Sequence, residues 1–175
     1  MKILANIIGI LAVALFVLSY QQKTRHYIVI INILSRVFYV AQYVLLFAFS
    51  GAAMDLAGLV VSLLAHKKDK NFISKHIKFW VVASIIFIVA VGLLFYQDIF
   101  SVLTIIAVIF EVGALWLSKE KHIRIVSFLS TPFWLVYNLL CGAYGSAVGS
   151  ILAMVSIVLA FMRYDARKET ENEKI

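Results

Sequence analysis

Followed position by position, the chain alternates long apolar runs with short basic interruptions. The apolar runs fall at about 3–20, 27–49, 51–65, 79–96, 100–117, 123–140 and 143–162. Most lie close to the ~20 residues with which a helix crosses a hydrocarbon core of about 30 Å. The stretches 27–65 and 123–162 are nearly unbroken, and each is about twice a spanning length. Small residues sit at the middle of both, Ser50-Gly51 in one and Gly142 through Ser146 in the other. Each stretch therefore predicts two helices joined by a tight turn at those residues. The pattern predicts seven transmembrane helices.

The two double-length stretches also echo each other. QYVLLFAFSGAA, beginning at Gln42, is answered by VYNLLCGAYGSA, beginning at Val136, 94 positions later. Tyr43 falls on Tyr137, Leu45 and Leu46 on Leu139 and Leu140, Gly51 on Gly145 and Ala53 on Ala147. A repeated motif of this kind indicates a duplicated block. At this offset the first three helices overlie the last three and the fourth is unpaired. One extra crossing between two three-helix blocks restores their orientation, so the repeats are parallel. The expected architecture is an all-α membrane protein of 3+1+3 type. Its parts are a first repeat at 1–66, a basic loop and linker helix at 67–97, a second repeat at 98–163 and a tail at 164–175.

Composition fixes the solvent. The 175 residues are 63% apolar and 14% charged, with a mean hydropathy of +0.99, against about 45–50% and ~25% in soluble domains. That excludes a water-soluble globule. Lys2, a short apolar run and Ala12-Val13-Ala14 could pass for a signal peptide. Cleavage would strand apolar residues at the new terminus and remove a helix that the repeat needs, so a retained first helix is expected.

Of the sixteen Lys and Arg residues, fourteen lie in four segments: around 23–25, 67–78 and 119–124, and after residue 162. Placing those segments in the cytoplasm obeys the positive-inside rule, with the N-terminus outside and the C-terminus inside. The net charge of +7 is then a topology signal. It suits contact with anionic lipid and not with nucleic acid, since the charges are dispersed. Tyr20, Trp80, Trp116 and Tyr164 are placed as an interfacial aromatic belt. Cys141 is the one cysteine, so no intrachain disulfide can form. His26, His66, His76 and His122 lie among lysines without metal-ligand spacing.

Three charges lie inside spans, where each costs at least ~2.5–3.5 kcal/mol near the bilayer centre. Arg36 is about nine residues, or ~13 Å, from one end of its helix. Glu111 is about eleven residues, ~16 Å, from the opposite end of its own. Both fall near the midplane, from different repeats, and are expected to pair. Asp55 is expected about one turn below the outer surface, where its charge costs less. The pair is either a gate that opens to solute or proton, with Glu111 as the titrating group, or a static lock between halves. Around it, Asn32, Ser35, Tyr39, Gln42 and Tyr43 form a stripe on the second helix. Trp134, Tyr137 and Asn138 form another on the sixth, both at i, i+3, i+4 spacing. Such aromatics and amides suit a sugar, and equally suit helix–helix hydrogen bonding. Pro132 lies mid-helix, as a hinge or with Thr131 re-satisfying the freed carbonyl.

SYQQKTR at 19–25, AQYVLLFAFSGAAMDLAG at 41–58, FWLVYNLLCGAYGSAVG at 133–149 and MRYD at 162–165 resemble the bacterial inner-membrane YgjV-type family. In architecture the chain is similar to the SWEET/PQ-loop transporter superfamily, although it has a single proline and no Pro-Gln pair. The resemblance implies a small-solute, sugar-like transporter in a bacterial inner membrane. The alternative is an accessory or scaffold protein with no transport path. No HExxH, Gly-x-Ser-x-Gly or paired acidic metal motif is present, so neither an enzyme nor a cofactor is expected. The expected partners are the lipid bilayer, an unidentified solute and a second copy of the chain.

Overall fold

The computed structural model describes residues 2–166; the tail basic residues Arg167, Lys168 and Lys174 lie outside the described residues. Eight α-helices follow one another: α1 (Lys2–Tyr20), α2 (Arg25–Leu45), α3 (Phe49–His66), α4 (Asn71–Lys75), α5 (Ile77–Leu94), α6 (Ser101–Leu115), α7 (Glu120–Leu140) and α8 (Tyr144–Ala160). A π-helical turn, Phe161–Ala166, extends α8. Among the described residues six helices are long and apolar enough to cross a membrane. The seventh apolar helix, α6, has 15 residues, about 22 Å. The five-residue α4 lies in the basic loop and was not legible in the apolar pattern.

Helix contacts close a ring. In turn, α1 packs on α2, α2 on α3, α3 on α6, α6 on α7, α7 on α8, and α8 back on α1. Outside the ring, α5 touches α3 and α6 through the stripe Ser84, Ile88, Gly92. The spacing i, i+4, i+8 is one helix face, and much of the rest of α5, including Phe79, Val82, Ile86, Leu93 and Leu94, is apolar and exposed. Polarity is inverted relative to a soluble bundle. Asn32, Ser35, Arg36, Gln42, Asp55, Glu111, Ser127, Ser130 and Asn138 are buried, while Ile3, Phe79, Ile86 and Leu94 are among the exposed side chains. A lipid solvent sets this sign, because polar groups must find partners inside the protein.

Of the two tight turns, the second includes Gly142 as the sequence suggests, and the first lies before Ser50-Gly51. Residues 46–48 join α2 to α3, and residues 141–143 join α7 to α8, so Ser50 and Gly51 belong to the first turn of α3. Both connections are the same C-cap. Ala48 N donates to Tyr43 O (3.0 Å) and Phe47 N to Val44 O (3.1 Å); Ala143 N donates to Asn138 O (2.9 Å) and Gly142 N to Leu139 O (3.4 Å). That is the Schellman pattern, which needs a left-handed residue before the last donor. Gly142 supplies it at φ 75°, and Phe47 adopts it at φ 59°. A bulky residue is a poor signal for positive φ, so small Ser50-Gly51 drew the turn three residues too far on.

The structure also corrects the repeat offset from 94 to 95. Thr24 and Lys119 cap α2 and α7, and Ala48 and Ala143 cap α3 and α8. Burial repeats in the same register. On α2 the buried Ile28, Asn32, Ser35, Arg36 and Tyr43 correspond to Ile123, Ser127, Ser130, Thr131 and Asn138 on α7. On α3 the buried Asp55, Gly58, Val61 and Ala65 correspond to Ser150, Ala153, Ser156 and Ala160 on α8. On α1 the buried Ala12, Val13, Ser19 and Tyr20 correspond to Ala107, Val108, Ala114 and Leu115 on α6. Letter identity rewards residue type, whereas packing rewards the helix face. One residue of offset is about 100° of rotation on a helix with 3.6 residues per turn.

Candidate functional site

The interior stripe of α2 runs Asn32, Ser35, Arg36, Tyr39, Gln42, Tyr43, and Arg36 is its centre. Its guanidinium is 1% exposed and reaches three neighbours. Nη1 donates to Asp55 Oδ1 of α3 at 2.7 Å, and Nε donates to Asn32 Oδ1 at 3.2 Å. Nη2 lies 3.0 Å from Glu111 Oε1 of α6 as an ion pair, without the alignment of a hydrogen bond. Glu111 is held further by Asn32 Nδ2 on Oε1 (3.3 Å) and by Trp134 Nε1 of α7 on Oε2 (3.0 Å). The expected Arg36–Glu111 pair is thus one side of a triad. Asp55 is not a lightly placed outer charge but the closer partner of Arg36.

Gly58, one turn beyond Asp55, makes this approach possible. A Cβ there would overlap the Arg36 guanidinium. The residue is invisible to a search for chemistry, and its i+3 spacing from Asp55 was the one available signal.

A second, neutral network lies beside the triad. Tyr43 OH donates to Asn138 Oδ1 at 2.6 Å, and Asn138 Nδ2 donates weakly to Ser150 Oγ at 3.4 Å. Ser146 Oγ donates to Gln42 Oε1 at 2.6 Å, while Gln42 Nε2 is buried without a hydrogen-bond partner. Tyr137 is placed differently from its sequence neighbours: its hydroxyl accepts from Gly51 N at 2.9 Å and shares a hydrogen with Ser50 Oγ at 2.8 Å. Tyr137 therefore ties α7 to the start of α3.

Between the networks is a cavity of about 20 Å³. Every ring helix contributes to it: Phe16, Tyr39, Tyr43, Asp55, Glu111, Thr131, Trp134, Asn138 and Ser150. Eight of these nine are four pairs at the structural offset: Phe16 with Glu111, Tyr39 with Trp134, Tyr43 with Asn138, and Asp55 with Ser150. Thr131 is the counterpart of Arg36. The cavity accommodates a water, which needs about 10–15 Å³, and is far below the ~300 Å³ of a small-molecule pocket. Towards the end of the bundle that lacks the basic loops is a wider space of about 340 Å³, lined in part by Ser50, Gln97, Asp98 and Tyr137. Tyr137 separates the two, since its ring packs edge-on against Tyr43 and Trp134 of the cavity wall, both at 6.0 Å.

The basic end is closed by cations on helix C-termini, where the macrodipole is negative. Arg25 Nη2 donates to Ala65 O of α3 (2.6 Å) and to Leu115 O of α6 (2.8 Å), and Nε to Leu117 O (3.0 Å). Lys68 Nζ donates to Trp116 O (3.2 Å), Leu117 O (2.9 Å) and Ser118 Oγ (2.8 Å). Burial, with Arg25 nearby, holds the Lys68 ammonium below its ordinary pKa. Arg124 reaches Tyr20 O (3.3 Å) and Gln22 O (2.8 Å) beyond α1. Charge counting along the sequence placed these residues at one end and missed their structural task. Tyr20 and Trp116 are likewise buried and do not form a lipid-facing belt, because both point into the ring. His26 and His66 meet with ring centroids 5.0 Å apart, but no group of three metal-ligating side chains occurs among the described residues. At Pro132, Thr131 Oγ1 donates to Phe128 O at 2.7 Å, the carbonyl that proline leaves without its helical donor.

A ring of apolar-faced helices around a charged interior defines a multi-pass integral membrane protein. The family model Imp-YgjV, described as bacterial inner membrane protein, matches residues 3–168. The chain belongs to that family. No curated protein and no solved structure matches it.

Proposed function

We propose that this protein is a small-solute transporter working by alternating access between two parallel three-helix repeats, α1–α3 and α6–α8, with α5 as linker. The N-terminus is outside and the C-terminus cytoplasmic, as the basic ends demand. One observation carries the reading: a cavity inside the helix ring, eight of whose nine lining residues pair at the 95-residue offset. A site on the axis relating two halves is what rocking of one half against the other would expose alternately. At about 20 Å³ the cavity is too small for a solute, and substrate would require the α1/α8 and α3/α6 seams to part. Tyr137 on Ser50 would gate one end, and Arg25 and Lys68 the other. The stacked Tyr43 and Trp134 beside Asn138 and Gln42 suit a sugar-like solute. The chemistry assigned to these residues is binding and not bond-breaking.

The alternative is an accessory protein in which Arg36, Asp55 and Glu111 form a permanent lock. The small cavity and the dense hydrogen bonding of Glu111 favour it. Uptake into proteoliposomes of radiolabelled mono- and disaccharides, amino acids and organic acids separates the two, with and without a pH gradient. Solute flux that Arg36→Gln and Glu111→Gln abolish while remaining folded is the expected result. Folded protein that moves none of the panel, with mutants impaired only in stability, would leave the lock.

A further inference from the structure

The triad holds two carboxylates and one guanidinium. With all three ionised, the interior carries one uncompensated negative charge on groups at most 3% exposed. An unpaired buried charge is among the most costly things a protein can hold, and neutralisation is the usual escape. The hydrogen bonds say where. Both oxygens of Glu111 face donors: Asn32 and Arg36 at Oε1, Trp134 at Oε2. A proton on either would compete with an N–H already directed at that oxygen. Asp55 differs. Both carboxylates line the cavity, but Arg36 occupies only Oδ1 of Asp55, and no donor among the described residues is set against Oδ2.

We propose that Asp55 Oδ2 is a proton-binding site, taking up one proton from water in the cavity and returning it there, so that the triad alternates between one net negative charge and neutrality. A hydronium reaching the cavity breaks one O–H bond and becomes water, while the carboxylate gains an O–H bond and loses its charge. That water accepts a hydrogen bond from the new O–H; release reverses the step. The cavity volume of about 20 Å³ fits such a water. The groups facing Asp55 are compatible with this. From α2 come Arg36, Tyr39 and Tyr43, from α6 Glu111, and from α1 the non-ionisable Phe16. From α7 and α8 come the neutral Thr131, Trp134, Asn138 and Ser150. The one ionisable side chain of α5, Lys78, is at the basic end. The assignment moves the titrating role from Glu111 to Asp55. For its purpose, coupling to a pH gradient, it rests on the transport reading; the binding event itself does not.

Infrared difference spectroscopy of the full chain in nanodiscs, stepped from alkaline to mildly acidic pH, reads the site directly. The expected result is a protonated-carboxyl C=O stretch that grows on acidification, survives in Glu111→Gln and is lost in Asp55→Asn. Should Asp55→Asn fail to fold, wild-type protein carrying 13C-carboxyl aspartate must shift that band. Asp69 and Asp98 are exposed, and deuterium-exchange sensitivity distinguishes their hydrated bands from one in an enclosed site. A band that follows Glu111 and ignores aspartate labelling, or the absence of any enclosed-site band in wild type, overturns the proposal. A titrating Asp55 band in protein that moves no solute would sink transport and leave the proton site. Flux without the band would do the reverse.

Discussion

Tyr43 and Asn138 occupy the same position in α2 and α7, 95 residues apart, and Tyr43 donates to Asn138 across 2.6 Å. Two equivalent positions can touch only on the axis that relates their helices. This hydrogen bond therefore marks the centre of the ring, and the cavity opens beside it. The charges break the equivalence: Arg36 faces Thr131 in the comparison, Asp55 faces Ser150, and Glu111 faces Phe16. The burial pattern recurs between α1–α3 and α6–α8, while the charges do not.

Because the bond is buried, removing one partner leaves the other unsatisfied. Tyr43→Phe should lower stability by about 1–3 kcal/mol, and so should Asn138→Ala. The double variant should lose less than the sum, since neither orphan remains. Denaturant unfolding in detergent micelles checks this; strictly additive losses would mean that the contact carries no coupling.

Gly58→Val should displace the Arg36 guanidinium and destabilise by roughly 1–3 kcal/mol, the usual range for overpacking. Gly113→Ala is the matched control, because a Cβ there meets nothing within 4 Å. Comparing thermal transitions of the two variants decides it, and equal behaviour would contradict the close approach.

The left-handed turn residues should respond in opposite senses. Gly142 has open space around a would-be Cβ, so Gly142→Ala isolates the conformational penalty of about 1–2 kcal/mol. Phe47→Gly relieves the same penalty, less roughly 0.5–1 kcal/mol for glycine's extra unfolded-state freedom. It should be neutral to slightly stabilising despite removing a large apolar side chain.

Arg36→Gln strands two buried carboxylates and should destabilise by about 3–5 kcal/mol, as broken buried pairs do. A combined Arg36→Met, Asp55→Leu, Glu111→Gln variant should recover much of that loss, because no charge is left unpaired. If stability returns while solute flux stays absent, the triad acts in transport. If the combined variant falls as far as the single one, the triad is needed for folding.

The sequence by itself determined the solvent and the number of apolar helices to within α6. Both depend on composition along a run, which a bilayer reads locally. It also showed one stretch echoing another and put Arg36 and Glu111 at heights that let them pair, since 1.5 Å per residue converts position into height. What it could not determine is azimuth. Whether the repeat is 94 or 95, whether Tyr20 faces lipid or core, and whether Asp55 meets Arg36 are questions of rotation about helix axes. Rotation is settled only when all the faces are packed together. Phe47 and Gly58 make the same point from opposite sides: one residue adopts a conformation that its type disfavours, and the other matters for the side chain it lacks. The ring of six helices decided both, because only in the closed bundle do the left-handed turn and the guanidinium have fixed places.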